Sequence, residues 1–160
     1  MLSITAEKSS GDLMSDERER DLLTELILEV FRLNGRLLAA GDRLVGDLGL
    51  TSARWQVLGA IALAAAPMPV AWIARNMGLT RQAVQRIVNE LIGEGVLALA
   101  ANPHHRRAKL VVLTDRGARL HQTIEKRRLP WAGALAEGLP PRTIASAVTT
   151  LRALRERLED

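Results

Sequence analysis

Leu22, Leu23, Leu26, Ile27, Val30, Leu33, Leu37 and Leu38 recur at the three- and four-residue spacing of one helix face. The pattern predicts a helix from Asp16 to about Leu48, ended by Gly46 and Gly49. Residues 1–15 are polar and serine-rich, lack this periodicity, and are expected to form a disordered tail. Thr51 can cap a second helix reaching Ala66. A third helix spans Val70 to Met77, where Gly78 supplies the left-handed residue that helix ends favour. Thr80 caps a fourth, which ends at Gly95. Val96–Ala101 and Lys109–Leu113 then read as strands, joined across the turn-opening Asn102-Pro103. Leu113-Thr114-Asp115 starts another long helix, which Pro130 is expected to kink or break. After Pro140-Pro141 a last helix carries Ile144, Val148, Leu151, Leu154 and Leu158 on one stripe.

A short helix, a glycine turn and a second helix make a helix-turn-helix, and the hairpin after it adds a wing. The expected fold is mainly α with a small β-hairpin wing: a winged helix-turn-helix flanked by N- and C-terminal dimerisation helices. Residues 16–160 form one unit, with a DNA-binding lobe over 50–113 and dimerisation helices over 16–48 and 114–160. The terminal helices carry more apolar surface than one small domain can bury, so a homodimer is expected.

At 100° per residue, Ala83, Val84, Ile87, Val88 and Leu91 gather on one side of the fourth helix. Arg81, Gln82, Gln85, Arg86 and Asn89 gather on the other, behind the cap Thr80. Arginine pairs bidentately with guanine, and glutamine or asparagine with adenine. The free backbone donors of the helix N-terminus also suit a phosphate. A solvated face that binds nothing is the alternative, but such faces usually mix Glu with Lys, and this one has no acid in its first three turns.

Charge sharpens the picture. The chain has 22 Lys and Arg against 18 Asp and Glu, a net charge of +4. Between Arg75 and Lys109 six basic residues face only Glu90 and Glu94, so the whole excess lies in that window. A localised basic surface is the footprint of a nucleic-acid partner. The wing tip contributes His104, His105, Arg106 and Arg107, with Lys109 at the next strand. Protonated histidines there would strengthen attraction to phosphate and raise DNA affinity as pH falls from about 8 to about 6; a mobile tip with solvated histidines and no such dependence is the alternative.

Other chemistries find little support. The chain has no cysteine, which excludes disulfides, thiolate catalysis and zinc fingers. The uncharged run Trp55–Ala74 nears membrane-spanning length, but Ala66-Pro67-Met68-Pro69 divides it into two buried helices. Glu7, Asp12, Asp16, Glu17 and Glu19 exclude an apolar leader core, and a cytoplasmic location is expected. Adjacent His104 and His105 with a distant His121 do not make a metal set. No nucleophile elbow, phosphate loop or carboxylate pair is present, so neither an enzyme nor a cofactor is expected. Arg36, Arg54 and Trp55 are candidates for an effector pocket, an apolar wall flanked by cations.

The stretch Asn102-Pro103-His104-His105-Arg106-Arg107-Ala108, alternating apolar residues, and then Leu113-Thr114-Asp115-Arg116-Gly117 resembles the wing of the MarR family of bacterial regulators. Leu79-Thr80 with Val84 and Leu91, and Leu50-Thr51 with Trp55, Val57 and Leu58, are similar to that family's recognition helix and the helix before it. The resemblance covers roughly residues 17–158. It implies a triangular dimer in which the first, fifth and sixth helices interlock and two lobes straddle adjacent major grooves. It further implies that Arg107 is the wing arginine that enters the minor groove, and that a small anionic or aromatic effector weakens DNA binding. Asn102 and His105 depart from the family, which usually has aspartates there, the second of them steadying the wing arginine.

The expected function is therefore sequence-specific binding of double-stranded DNA at a pseudo-palindromic operator, as a repressor relieved by a small molecule. A winged-helix module docking onto another protein without DNA is the alternative. The local charge excess argues against it.

Overall fold

The computed structural model describes residues 10–105 and 107–158. Its central pair of helices lies where the pattern puts it. Helix α3, numbered in chain order, spans Val70–Met77 and closes on Gly78 at φ 63°. Helix α4 spans Arg81–Gly93, and its N-terminus is capped by Thr80, whose hydroxyl accepts from the Ala83 amide at 3.2 Å. The wing follows: β1, Leu97–Ala100, pairs antiparallel with β2, Leu110–Leu113, in the register Leu97 to Leu113 and Ala100 to Leu110.

Two boundaries before α3 differ from expectation. Helix α1 spans Ser10–Val45, starting within the segment expected to be a tail, while residues 1–9 of that segment lie outside the described residues. Once nucleated, a helix extends at little cost per residue and needs no apolar stripe to do so. Helix α2, Ser52–Ala62, stops short of Ala66. The chain leaves the helix because Met68 must reach the wing: its carbonyl accepts from the Val111 amide at 2.9 Å, making an isolated antiparallel bridge on the outer edge of β2. The alanine run 64–66 would satisfy a helix equally well, so local preference could not reveal this tertiary bond.

The core fills the space between these elements. Val57 and Leu58 of α2, Ile73 of α3, Val84, Val88 and Leu91 of α4, and Val111 of β2 are all buried. Ile124 closes the core from α5, Asp115–Ala136. Thr114 holds the start of α5 against the end of the wing. Its hydroxyl donates to the Gly95 carbonyl at 2.7 Å and accepts from the Gly117 amide at 3.1 Å. A Cβ on Gly117 would stand 2.2 Å from the Val96 carbonyl oxygen, so this close approach requires glycine.

Pro130 does not break α5, which continues to Ala136. A proline inside a helix removes one donor and crowds the preceding turn. Here the flanking residues hold the helix in place. Arg127 pairs with Asp47 at the end of α1, and Trp131 meets Trp55 of α2 edge-on with ring centroids 6.2 Å apart.

The terminal helices are under-packed in one copy of the chain. Helix α6, Pro141–Arg157, has no buried residue, and Ile144, Val148 and Leu151 on its stripe are exposed. Leu22, Ile27, Phe31 and Leu38 of α1 are exposed as well. No described helix is long and apolar enough to cross a membrane.

Candidate nucleic-acid interface

Helix α4 is divided along its length. Val84, Ile87, Val88 and Leu91 anchor it to the core. The opposite side presents Thr80, Arg81, Gln82, Gln85, Arg86 and Asn89, which line one open surface groove. All six sequence-predicted reading residues therefore share a face. Arg81 and Gln82 have no hydrogen-bond or ion-pair partner among the described residues. The other four polar side chains are paired along the helix. Gln85 Nε2 donates to Asn89 Oδ1 at 2.9 Å, and Arg86 Nη1 lies 2.8 Å from Glu90 Oε1. Glu90 was not anticipated as part of this face. The angle was available, since Glu90 sits four residues beyond Arg86 and so nearly above it.

The wing meets the start of α4 in a second notch. Arg81 and Gln85 from the helix face His105, Arg107 and Lys109 from the wing, with Pro69, Val70 and Leu99 as the floor, and no carboxylate lines it. The notch has a volume of about 450 Å³. Arg106 lies outside the described residues. The wing turn is closed locally: Asn102 Oδ1 accepts from the His104 amide at 3.0 Å, and the Ala108 amide donates to the His105 carbonyl at 3.0 Å. An asparagine oxygen thus does the capping that an aspartate would do at 102. Nothing replaces the second aspartate, and Arg107 has no partner among the described residues. His104 and His105 lie on the wing and His121 on α5, and no group of three or more His, Asp or Glu suited to a metal occurs among the described residues.

The three effector candidates do not come together. Trp55 lines a cleft of about 480 Å³ between α2 and α5, with Gln56, Met77, His121, Glu125 and Arg128. Arg36 is exposed on α1 and is not part of that cleft. Arg54 is a structural tie rather than a free cation. It donates to the Gly49 carbonyl at 3.0 Å and pairs with Glu94 at the C-terminal end of α4. The cation that does reach the cleft, Arg128, was missed. It is held bidentately by Glu125, with both bonds at 2.7 Å. That pair keeps the Glu125 carboxyl below its ordinary pKa, chiefly through the hydrogen bond from Arg128, and raises Arg128 in turn.

The sequence model of the MarR family matches residues 48–108, from the α1–α2 junction to the wing tip. An uncharacterized protein of Mycobacterium tuberculosis is 37% identical over 139 residues, covering 87% of this chain and 92% of that one. The transcriptional activatory protein BadR of Rhodopseudomonas palustris is 25% identical over 115 residues, 71% of this chain and 66% of BadR. The crystal structure of CouR from Rhodococcus jostii RHA1 bound to p-coumaroyl-CoA matches with a TM-score of 0.74 at 25% identity, over 81% of this chain and 91% of CouR.

Proposed function

This chain belongs to the MarR family of DNA-binding transcription regulators, and on that premise we propose that it acts in the cytoplasm as a homodimeric repressor of a pseudo-palindromic operator. One observation carries the reading. The unpaired Arg81 at the start of α4 and the wing cations Arg107 and Lys109 line a single acid-free notch, the arrangement that lets a helix enter a major groove while a wing holds the adjacent backbone. Gln82, Gln85, Arg86 and Asn89 read base edges, Thr80 and Arg81 hold a phosphate at the helix N-terminus, and Arg107 reaches the minor groove. Arg106 and Lys109 add positive charge along the backbone, with His104 and His105 beside them.

Dimerisation supplies the second reading head. The exposed stripes of α1 and α6 support it, because a monomer would leave them in water. The effector site is the α2–α5 cleft, with Trp55 as the apolar wall and Arg128 as the cation. A small aromatic or anionic molecule there competes with Glu125 for Arg128 and, by shifting α5, changes the spacing of the two lobes. The aromatic acyl thioester held by CouR supports an effector of this class. Selection from a random duplex library tests the reading. Enriched half-sites about 10 base pairs apart, or a multiple of that, are expected. Equal affinity for selected and random duplexes would overturn it in favour of a protein-docking role.

A further inference from the structure

Resting on the DNA-reading role of α4, we propose that Glu90 is the positioning residue that makes Arg86 selective for a guanine rather than for any phosphate. Among the described residues, Glu90 is the one carboxylate paired with a reading residue of this face, Arg86, at 2.8 Å. The pair is open to solvent, with side chains 70% and 40% exposed, so it does not serve the core. Its contribution to stability is correspondingly small. A carboxylate beside DNA is repelled by every phosphate, so its presence on a reading face needs a reason.

The reason lies in what an unrestrained arginine does. A free guanidinium on a DNA-facing helix finds a phosphate on any sequence, because phosphate attraction carries no base information. Glu90 gives Arg86 an internal acceptor and aligns its long side chain along the helix. A phosphate brought to Arg86 must also sit beside the Glu90 carboxylate, and the two anions repel. A guanine edge carries no net charge and offers O6 and N7 together, so Arg86 can take it while Nη1 stays on Glu90. Glu90 therefore taxes the non-specific mode more than the specific one. The parallel amide pair Gln85–Asn89 fixes the neighbouring side chains in the same way, at 2.9 Å.

The test compares native protein with Glu90→Gln, Glu90→Asp and Arg86→Ala on a selected operator, on each single-base variant of it, and on random duplex. Arg86→Ala locates the base pair that Arg86 reads, which is expected to be G·C. Glu90→Gln is expected to flatten preference at that same pair and to leave preference at the other pairs intact. It should also raise affinity for random duplex by about 5-fold per subunit, the gain from one more counterion released at ~0.15 M salt. Glu90→Asp keeps the charge but is one carbon too short to hold Arg86, so it should behave like Glu90→Gln at the Arg86 pair. If Glu90→Gln raises all sequences by one common factor while Glu90→Asp behaves as native, Glu90 is a plain repulsive charge and the proposal is wrong. No change in either variant overturns it too. A native protein that binds every duplex equally would overturn the DNA-reading role itself, which is a separate result.

Discussion

Arg127 on α5 clasps Asp47 beyond the end of α1 with both arms of its guanidinium, at 2.5 and 2.9 Å, and donates to the Leu44 carbonyl at 3.1 Å as well. The bond joins the two helices that lead from the proposed dimer interface into the reading lobe. The hydrogen bond from Arg127 is the main reason the Asp47 carboxyl sits below its ordinary value of 3.8. The folded chain thus binds this proton less tightly than the unfolded chain does. The resulting stabilisation is present above the unfolded carboxylate value and is lost as pH falls through the lower, folded one. Glu125, lowered by Arg128, acts in the same direction. Thermal melts at stepped pH should show Tm falling below about pH 4. Asp47→Asn should melt lower than native at pH 7, and the two curves should converge in acid. A constant gap down to the lowest pH would show that the clasp is not the source.

Gly117→Ala should destabilise the fold by about 1–3 kcal/mol, because overpacking against rigid backbone cannot be relieved by a rotamer change. The added methyl would press on the Val96 carbonyl oxygen at the joint between wing and α5. Chemical denaturation of native protein and variant measures the difference. An unchanged midpoint would mean that α5 can slide on the wing.

The α6 stripe makes a prediction about assembly. Leu151→Glu with Leu154→Glu should convert the dimer to monomer or aggregate and abolish tight operator binding, since each buried leucine contributes roughly 1.5–3 kcal/mol. Sedimentation equilibrium decides it. A stable native monomer at micromolar concentration would refute the dimer.

Base contacts and backbone contacts should separate in titrations. Gln82→Ala is expected to cost about 1–3 kcal/mol on the operator and little on random duplex. Lys109→Ala should weaken both and should lower the magnitude of the log-affinity against log-salt slope by about 0.9 per subunit. Equal losses for Gln82→Ala on operator and random DNA would place it on phosphate instead.

What the sequence made legible was local. Gly78, Thr80 and the apolar period of α4 carry their own instructions, and α3, the turn and α4 appear where those residues indicate. The wing was legible from Asn102-Pro103 and the alternation after it. What stayed hidden depends on distant partners. The early end of α2 follows from the bond between Met68 and Val111. The partners of Arg54 were not legible, because Glu94 is remote in sequence and the Gly49 carbonyl is presented by a turn. Pro130 looked like a helix breaker because its neighbours' anchors, Asp47 and Trp55, lie on other helices. Arg128 entered the cleft unannounced for the same reason, as packing of α2 on α5 alone creates that space.

The bridge from Met68 to Val111 also limits how such a molecule can be controlled. It rivets the strap before α3 to the wing, while Thr114 rivets the wing to α5. Reading helix and wing are thereby tied together as the two faces of one jaw. In the proposed dimer an effector then acts on one quantity, the span between the two jaws: the lobes match the pitch of the double helix or they miss it.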